Sequence, residues 1–252
     1  MGIPELTVTA TFILVLVALV LVQRQLRRRS TSLDLRPLPA YVALRRYMGM
    51  VVESGRPPLM TLGRGPLYTA AGPASVAGLE VLREVAETIG QGELTPQVTV
   101  GAATLLPIAQ DALRRVAEIG GQPQGYDPSD VQFMADDAFP FAYAAGTGEF
   151  IERGQIGTNI AVGRFGAELA IIGEAAVRDN IEQVMGSDDP SAIAIALAST
   201  ENSLLGEEIF VAGAYLRGSA TYLASVQVQD GLRWLLVLAL LVAALLRLLG
   251  LS

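Results

Sequence analysis

No cysteine, no histidine and no lysine occurs in the 252 residues, so all 18 basic residues are arginine. Each absence removes a class of chemistry. Without cysteine there is no disulfide framework, thiol nucleophile or thiolate metal site. Without histidine the commonest general base and metal ligand is missing. Without lysine there is neither a Schiff base nor a phosphate-binding lysine of the P-loop kind. Asp, Glu, Ser, Thr, Tyr and Arg remain. They permit a carboxylate–magnesium or carboxylate-pair enzyme, but the reduced repertoire leans away from catalysis, and no catalytic residue is assigned.

Apolar residues are abundant: 51% of the chain is hydrophobic, concentrated at its two ends. Leu6 to Val22 is a run without charge, followed at once by Arg24, Arg27, Arg28 and Arg29. With Ile3 and Pro4 it approaches the ~20 residues that cross a bilayer. A cleaved signal peptide would carry its basic residues before the run and small residues after it, the reverse of this order. Leu232 to Leu249 is a second such run, with Arg233 and Trp234 at its start and Arg247 near its far end. Positive charge beside a span is retained in the cytoplasm. The sequence therefore predicts a multi-pass membrane protein, its central domain cytoplasmic and both termini outside, with the lipid bilayer as a partner.

The residues between the two runs are acidic. From Ser30 to Gly231 there are 12 Arg against 24 Asp and Glu, a balance that argues against nucleic acid as a partner.

Ser30 to Pro39 reads as a linker and Pro39 to Glu53 as a helix, stopped by Ser54-Gly55-Arg56-Pro57-Pro58. A repeating pattern follows, in which a short apolar run ends in Gly or Asp and a longer helical stretch comes next. Strands are predicted at 59–62, 97–100, 131–135, 159–162 and 182–185, with a sixth at Ile193 to Ala198, where Ile and Ala alternate. Helices are predicted over 73–89, 104–119, from 136–137 to Arg153, from 163–166 to Asp179, and from Ser203 onward. Strands alternating with helices of this length indicate βαβ units. The fold class is therefore α/β: a Rossmann-like open, mostly parallel sheet with helices on both faces, flanked by N- and C-terminal transmembrane helices. The chain divides into an N-terminal transmembrane anchor (1–23), a basic flank, linker and juxtamembrane helix (24–58), a Rossmann-like α/β domain (59–202), a stem helix (203–231) and a C-terminal transmembrane helix (232–252).

Open α/β sheets bind ligands beyond the carboxyl ends of their strands. That rule selects the loop residues Arg64, Thr104, Asp136, Asp137, Arg164, Glu168, Asp188 and Glu201. An anion would sit at a helix N-terminus after Gly63 or Gly163, met by backbone N–H groups and by Arg64 or Arg164. The plainer alternative is that each Gly makes a tight turn and each Arg pairs with an acidic neighbour. Asp136-Asp137 and Asp188-Asp189 offer oxygens to magnesium, or cap helices; Asp188-Asp189-Pro190 suits capping best, and no metal is assigned. No G-x-G-x-x-G follows any strand, so no cofactor is expected. In the stem, Glu207, Glu208 and Tyr215 are candidates for an interface with neighbouring subunits or another membrane protein, small residues at 212–214 permitting close helix approach. The alternative is a solvated face with Ile209, Phe210 and Leu216 turned inward.

Arg46-Tyr47-Met48-Gly49 through Gly63-Arg64-Gly65-Pro66-Leu67-Tyr68, together with Gly206-Glu207-Glu208-Ile209-Phe210-Val211-Ala212-Gly213-Ala214-Tyr215-Leu216 and Gln229-Asp230, resemble a family of uncharacterised bacterial membrane proteins known only as a domain of unknown function. The resemblance implies a bacterial inner-membrane setting, but no activity, substrate or catalytic residue.

Two functions are compatible with these features. One is a membrane-anchored scaffold or binding subunit of a bacterial inner-membrane complex, forming a homo-oligomer or assembling with other membrane proteins. The alternative is a membrane-tethered enzyme or sensor binding a nucleotide or other phosphorylated anion at the strand ends. A transporter ranks below both, since two short spans offer no charged pathway.

Overall fold

The computed structural model describes residues 36–90, 94–121, 125–153 and 155–217, with 231, 233, 236 and 237 beyond them. Arg36–Arg217 is a compact unit. Its elements are α1 (Pro39–Ser54), β1 (Pro58–Gly63), α2 (Gly72–Ile89), β2 (Gln97–Val100), α3 (Leu105–Ile119), β3 (Val131–Phe133), α4 (Pro140–Glu152), β4 (Thr158–Arg164), α5 (Leu169–Arg178), β5 (Glu182–Ser187), α6 (Pro190–Ser199), β6 (Ser203–Leu205), a 3-10 turn (Gly206–Val211) and α7 (Ala212–Arg217).

Helix ends follow local chemistry. Pro39 opens α1, where its missing N–H costs nothing, and Gly55 closes it at φ 68° with its N–H on the Val51 carbonyl. Pro190 opens α6 behind Asp189, whose side chain accepts from Ser191 N–H.

All strands pair in parallel, in the order β3-β2-β1-β4-β5-β6. This is the doubly wound order: successive strands are added in one direction from β1 to β3 and in the other from β4 to β6, so the switch point lies between β1 and β4. Alternate residues of each strand serve opposite faces. Met60, Leu62, Val98, Val100, Ile160, Val162 and Val184 join α1, α2, α3 and α7 in one apolar core. Leu59, Ala161 and Met185 face α4, α5 and α6 in a second. The α/β class and the parallel sheet with helices on both faces agree with the pattern of the sequence.

Two elements differ from it. Ile193 to Ala198, expected as the sixth strand, lies inside α6. Asp189 caps the segment, Pro190 starts it, and alanine favours helix, so Ala192 and Ala196 fall one turn apart on the buried side. The sixth strand is instead Ser203–Leu205, where the stem helix was expected to begin; of the stem's described residues, 212–217 are α-helical.

The expected multi-pass location in an inner membrane is corrected: among the described residues no helix is long and apolar enough to cross a membrane. The same finding removes support for transmembrane helices flanking the fold. The two apolar runs, 6–22 and 232–249, fall outside the described residues apart from 233, 236 and 237.

Candidate functional site

The switch point between β1 and β4 is where a doubly wound sheet leaves a crevice for a ligand. Here the two strand ends meet backbone to backbone. Gly63 (φ 75°) and Gly163 (φ 153°) face each other: a Cβ on the first would overlap the Arg164 carbonyl, and on the second the Leu62 carbonyl. The register between β1 and β4 shifts at this point. Arg64 N–H donates to the Arg164 carbonyl (3.0 Å), and Gly101 N–H to the Gly63 carbonyl (2.8 Å). Glycine is required here because two backbones meet where a side chain would stand.

Arg64 leaves this junction and bridges two further loops. Its Nε donates to Glu168 Oε1 (2.7 Å) and its Nη1 to Asp137 Oδ1 (2.8 Å). Glu168 is buried and also accepts from Gly166 N–H at 2.8 Å. Burial pulls the Arg64 guanidinium down, but the Glu168 and Asp137 carboxylates outweigh it and hold its pKa above the ordinary arginine value. Arg164 reaches the other way. Its Nη1 meets Asp188 Oδ1 and its Nη2 meets Asp189 Oδ2, each at 3.0 Å. For Asp189, burial pushes the carboxyl up, while the Ser191 hydrogen bonds and Arg164 pull harder and leave it below the usual range. The two arginines thus tie four loops at the carboxyl rim, and each meets two carboxylates of the same domain.

The other candidates serve the loops. Thr104 Oγ1 accepts from Leu67 N–H (3.3 Å), and Asp136 accepts from Ala138 N–H (3.2 Å), a turn-capping bond like that of Asp189. The structure brings Arg64 and Glu168 together with Asp137; it places Asp136 beside them in sequence but on its own turn. Among the described residues no group of three or more Asp or Glu is arranged to hold a metal ion. Two surface concavities lie elsewhere. A cleft of about 500 Å³ opens between the C-terminal ends of α2 and α3, and one of about 250 Å³ lies between α4 and α5. Neither touches Arg64, Thr104, Asp136, Arg164 or Glu168.

Tyr143 is a rim residue that the sequence pattern did not single out. From α4 its hydroxyl accepts from Gly63 N–H (3.1 Å) and donates to the Thr99 carbonyl (3.4 Å). Burial drives its pKa well above the normal phenol value. The available signal was a large ring followed at once by a run of small residues, Ala144 to Gly148.

Of the stem candidates, Glu208 and Tyr215 pack against the domain, while Glu207 is exposed. Glu208 Oε2 accepts from Leu205 N–H (3.0 Å), and the Glu208 carbonyl accepts from Tyr41 OH (2.8 Å). The Tyr215 ring stacks on Tyr41 at 5.2 Å, its OH donates to the Arg36 carbonyl (2.6 Å), and its own carbonyl accepts from Arg45. Glu207 sits in the first turn of the 3-10 segment. Ile209 is buried as expected, whereas Phe210 is 48% exposed and does not join the core. These contacts clamp the two ends of the unit side by side.

The family described as Domain of unknown function (DUF6754) matches residues 4–252. No curated protein matches the chain, and no solved structure does. The chain belongs to the DUF6754 family.

Proposed function

We propose that this member of a family of unknown function is a non-catalytic binding or scaffold subunit, presenting a rigid α/β domain to a partner protein or to further copies of itself. The observation that carries the reading is the rim. Both arginines best placed for an anion are engaged by carboxylates of the same domain. Asp136 and Asp189 cap turns, and Asp137 and Asp188 pair with Arg64 and Arg164. The lack of histidine, cysteine and lysine points the same way. Phe133, Phe139 and Phe141 stand exposed around the β3–α4 connection, and exposed aromatic side chains are common at protein contacts.

The test is native mass spectrometry of the full chain taken gently from its own cells, followed by a thermal-shift panel of nucleotides and sugar phosphates. A defined oligomer or a fixed protein partner, with a flat response to the panel, supports the scaffold. A retained nucleotide or sugar-phosphate mass, or a stabilisation abolished by Arg64→Ala or Arg164→Ala, would replace it with the anion-binding alternative. A monomer without partner or ligand also overturns it.

A further inference from the structure

On the face of the sheet covered by α4, α5 and α6, hydroxyls and amides occupy positions that are aliphatic on the other face. Thr147 Oγ1 on α4 lies 3.4 Å from Thr99 Oγ1, and Thr99 Oγ1 lies 3.4 Å from Thr61 Oγ1. Thr61 then donates to Asn159 Oδ1 at 3.5 Å. All four side chains are fully buried. On the next strand stands Gln183, the register partner of Asn159. Its Nε2 donates to the Ser199 carbonyl at the end of α6 (3.3 Å). The row crosses β2, β1, β4 and β5.

Two atoms of this row meet no protein partner: Asn159 Nδ2 and Gln183 Oε1, both buried. They belong to paired residues of adjacent parallel strands, so both side chains project from the same face. One is a donor and the other an acceptor. Their orientations are not interchangeable. The Ser199 carbonyl demands an N–H and so fixes the Gln183 amide with its oxygen turned away. Buried polar atoms are satisfied by protein or by ordered water, and an internal water takes two or more polar partners.

We propose that a single buried water molecule bridges Asn159 Nδ2 and Gln183 Oε1 and is an integral member of the row. It accepts from the Asn159 N–H and donates to the Gln183 carbonyl. Through it the polar row runs unbroken from Thr147 of α4 to Ser199 of α6, joining two helices across four strands.

The test uses the full chain. Water-selective nuclear Overhauser measurements on the Asn159 side-chain amide should show a cross-peak with the sign of a long-lived bound water. An atomic-resolution crystal structure should show one density peak within hydrogen-bond distance of both atoms. In Gln183→Met the Asn159 cross-peak should be lost while the backbone spectrum keeps its dispersion. The proposal is overturned if the wild-type amide shows no such peak, if the two amides bond to each other directly, or if the peak survives unchanged in Gln183→Met. Should that variant not fold, the wild-type measurement alone decides.

Discussion

The two faces of the sheet are built on different principles. Under α1, α2, α3 and α7 the strands present Val, Leu, Ile and Met to large partners such as Leu82, Ile89, Tyr41 and Tyr47. Under α4, α5 and α6 the core is smaller, rich in alanine, and crossed by the Thr99–Thr61–Asn159 row. Burial of apolar surface is non-directional and supplies most of the driving force for folding. Hydrogen bonds in a buried row contribute little net free energy but are costly to break on one side, so they select one arrangement. The first face should therefore govern stability, and the second the seating of α4 and, through Tyr143, of the β1 turn.

The strongest way to separate the faces is to truncate the apolar one. Leu82 on α2 is fully buried. Leu82→Ala should lose about 2–5 kcal/mol, measured by urea unfolding with an unchanged m-value. Close packing at the junction of the two faces comes next. Gly63→Ala introduces a Cβ against the Arg164 carbonyl at a φ of 75°. It should cost about 1–3 kcal/mol or more. Because the clash displaces the start of Arg64, it should also loosen the Arg64–Glu168 pair, visible as faster hydrogen exchange at Gly166 N–H. A smaller value at either site would mean that the core relaxes more easily than its packing implies.

On the polar face the expected effects are smaller and differ in kind. Asp189→Ala removes the cap of α6 and one carboxylate from Arg164. About 1 kcal/mol should be lost by denaturant titration. Thr61→Val keeps the volume and deletes the hydroxyl between Thr99 and Asn159. It should cost roughly 0.5–1.5 kcal/mol. In a double-mutant cycle with Thr99→Val the losses should be less than additive, because either change alone breaks the same row. Strict additivity would show that the hydroxyls act independently and that the row is only a coincidence of strand positions.

The difference between the faces also explains what the sequence disclosed. Short runs punctuated by Gly and Pro marked β1, β2, β4 and β5 within two residues at each end, because the face under α1, α2 and α3 is aliphatic in all four and the turns at their ends call for Gly or Pro. The sixth strand escaped notice for the opposite reason. Ser203–Leu205 has one buried side chain, Leu204, and sits at the sheet edge, too short to carry a pattern. Ile193 to Ala198 imitated a strand by alternation, yet the Asp-Pro start and the alanines decided for helix. At the rim, the strand-end rule located Arg64, Arg164 and Glu168 correctly in the fold. It could not give their partners: Glu168 is 104 residues from Arg64 and Asp137 is 73 away. Only the strand order brings those loops together, and the order of strands is not written in any local run.

One charged group breaks the rule of the apolar face and gives the finest test of it. Glu84 is buried on α2 beside Arg217 of α7. Burial raises its pKa above the ordinary 4.5, and this outweighs the pull of Arg217 in the other direction. A carboxyl with a raised folded-state pKa binds its proton more tightly when folded than when unfolded. Between the unfolded value and the raised one, the folded state therefore carries more protons, and stability falls as pH rises through that window. This is opposite to a rim carboxylate such as Asp189, whose lowered pKa makes stability fall as pH drops. Urea midpoints taken across the window just above pH 4.5 should show the Glu84 contribution as a small downward slope, and Glu84→Gln should flatten it. The Gln variant keeps the size of the side chain but gives up the ion pair to Arg217, so its stability at neutral pH should change by less than the loss seen in Leu82→Ala. A slope that survives Glu84→Gln would assign the titration to another group and leave the apolar face without an electrostatic exception.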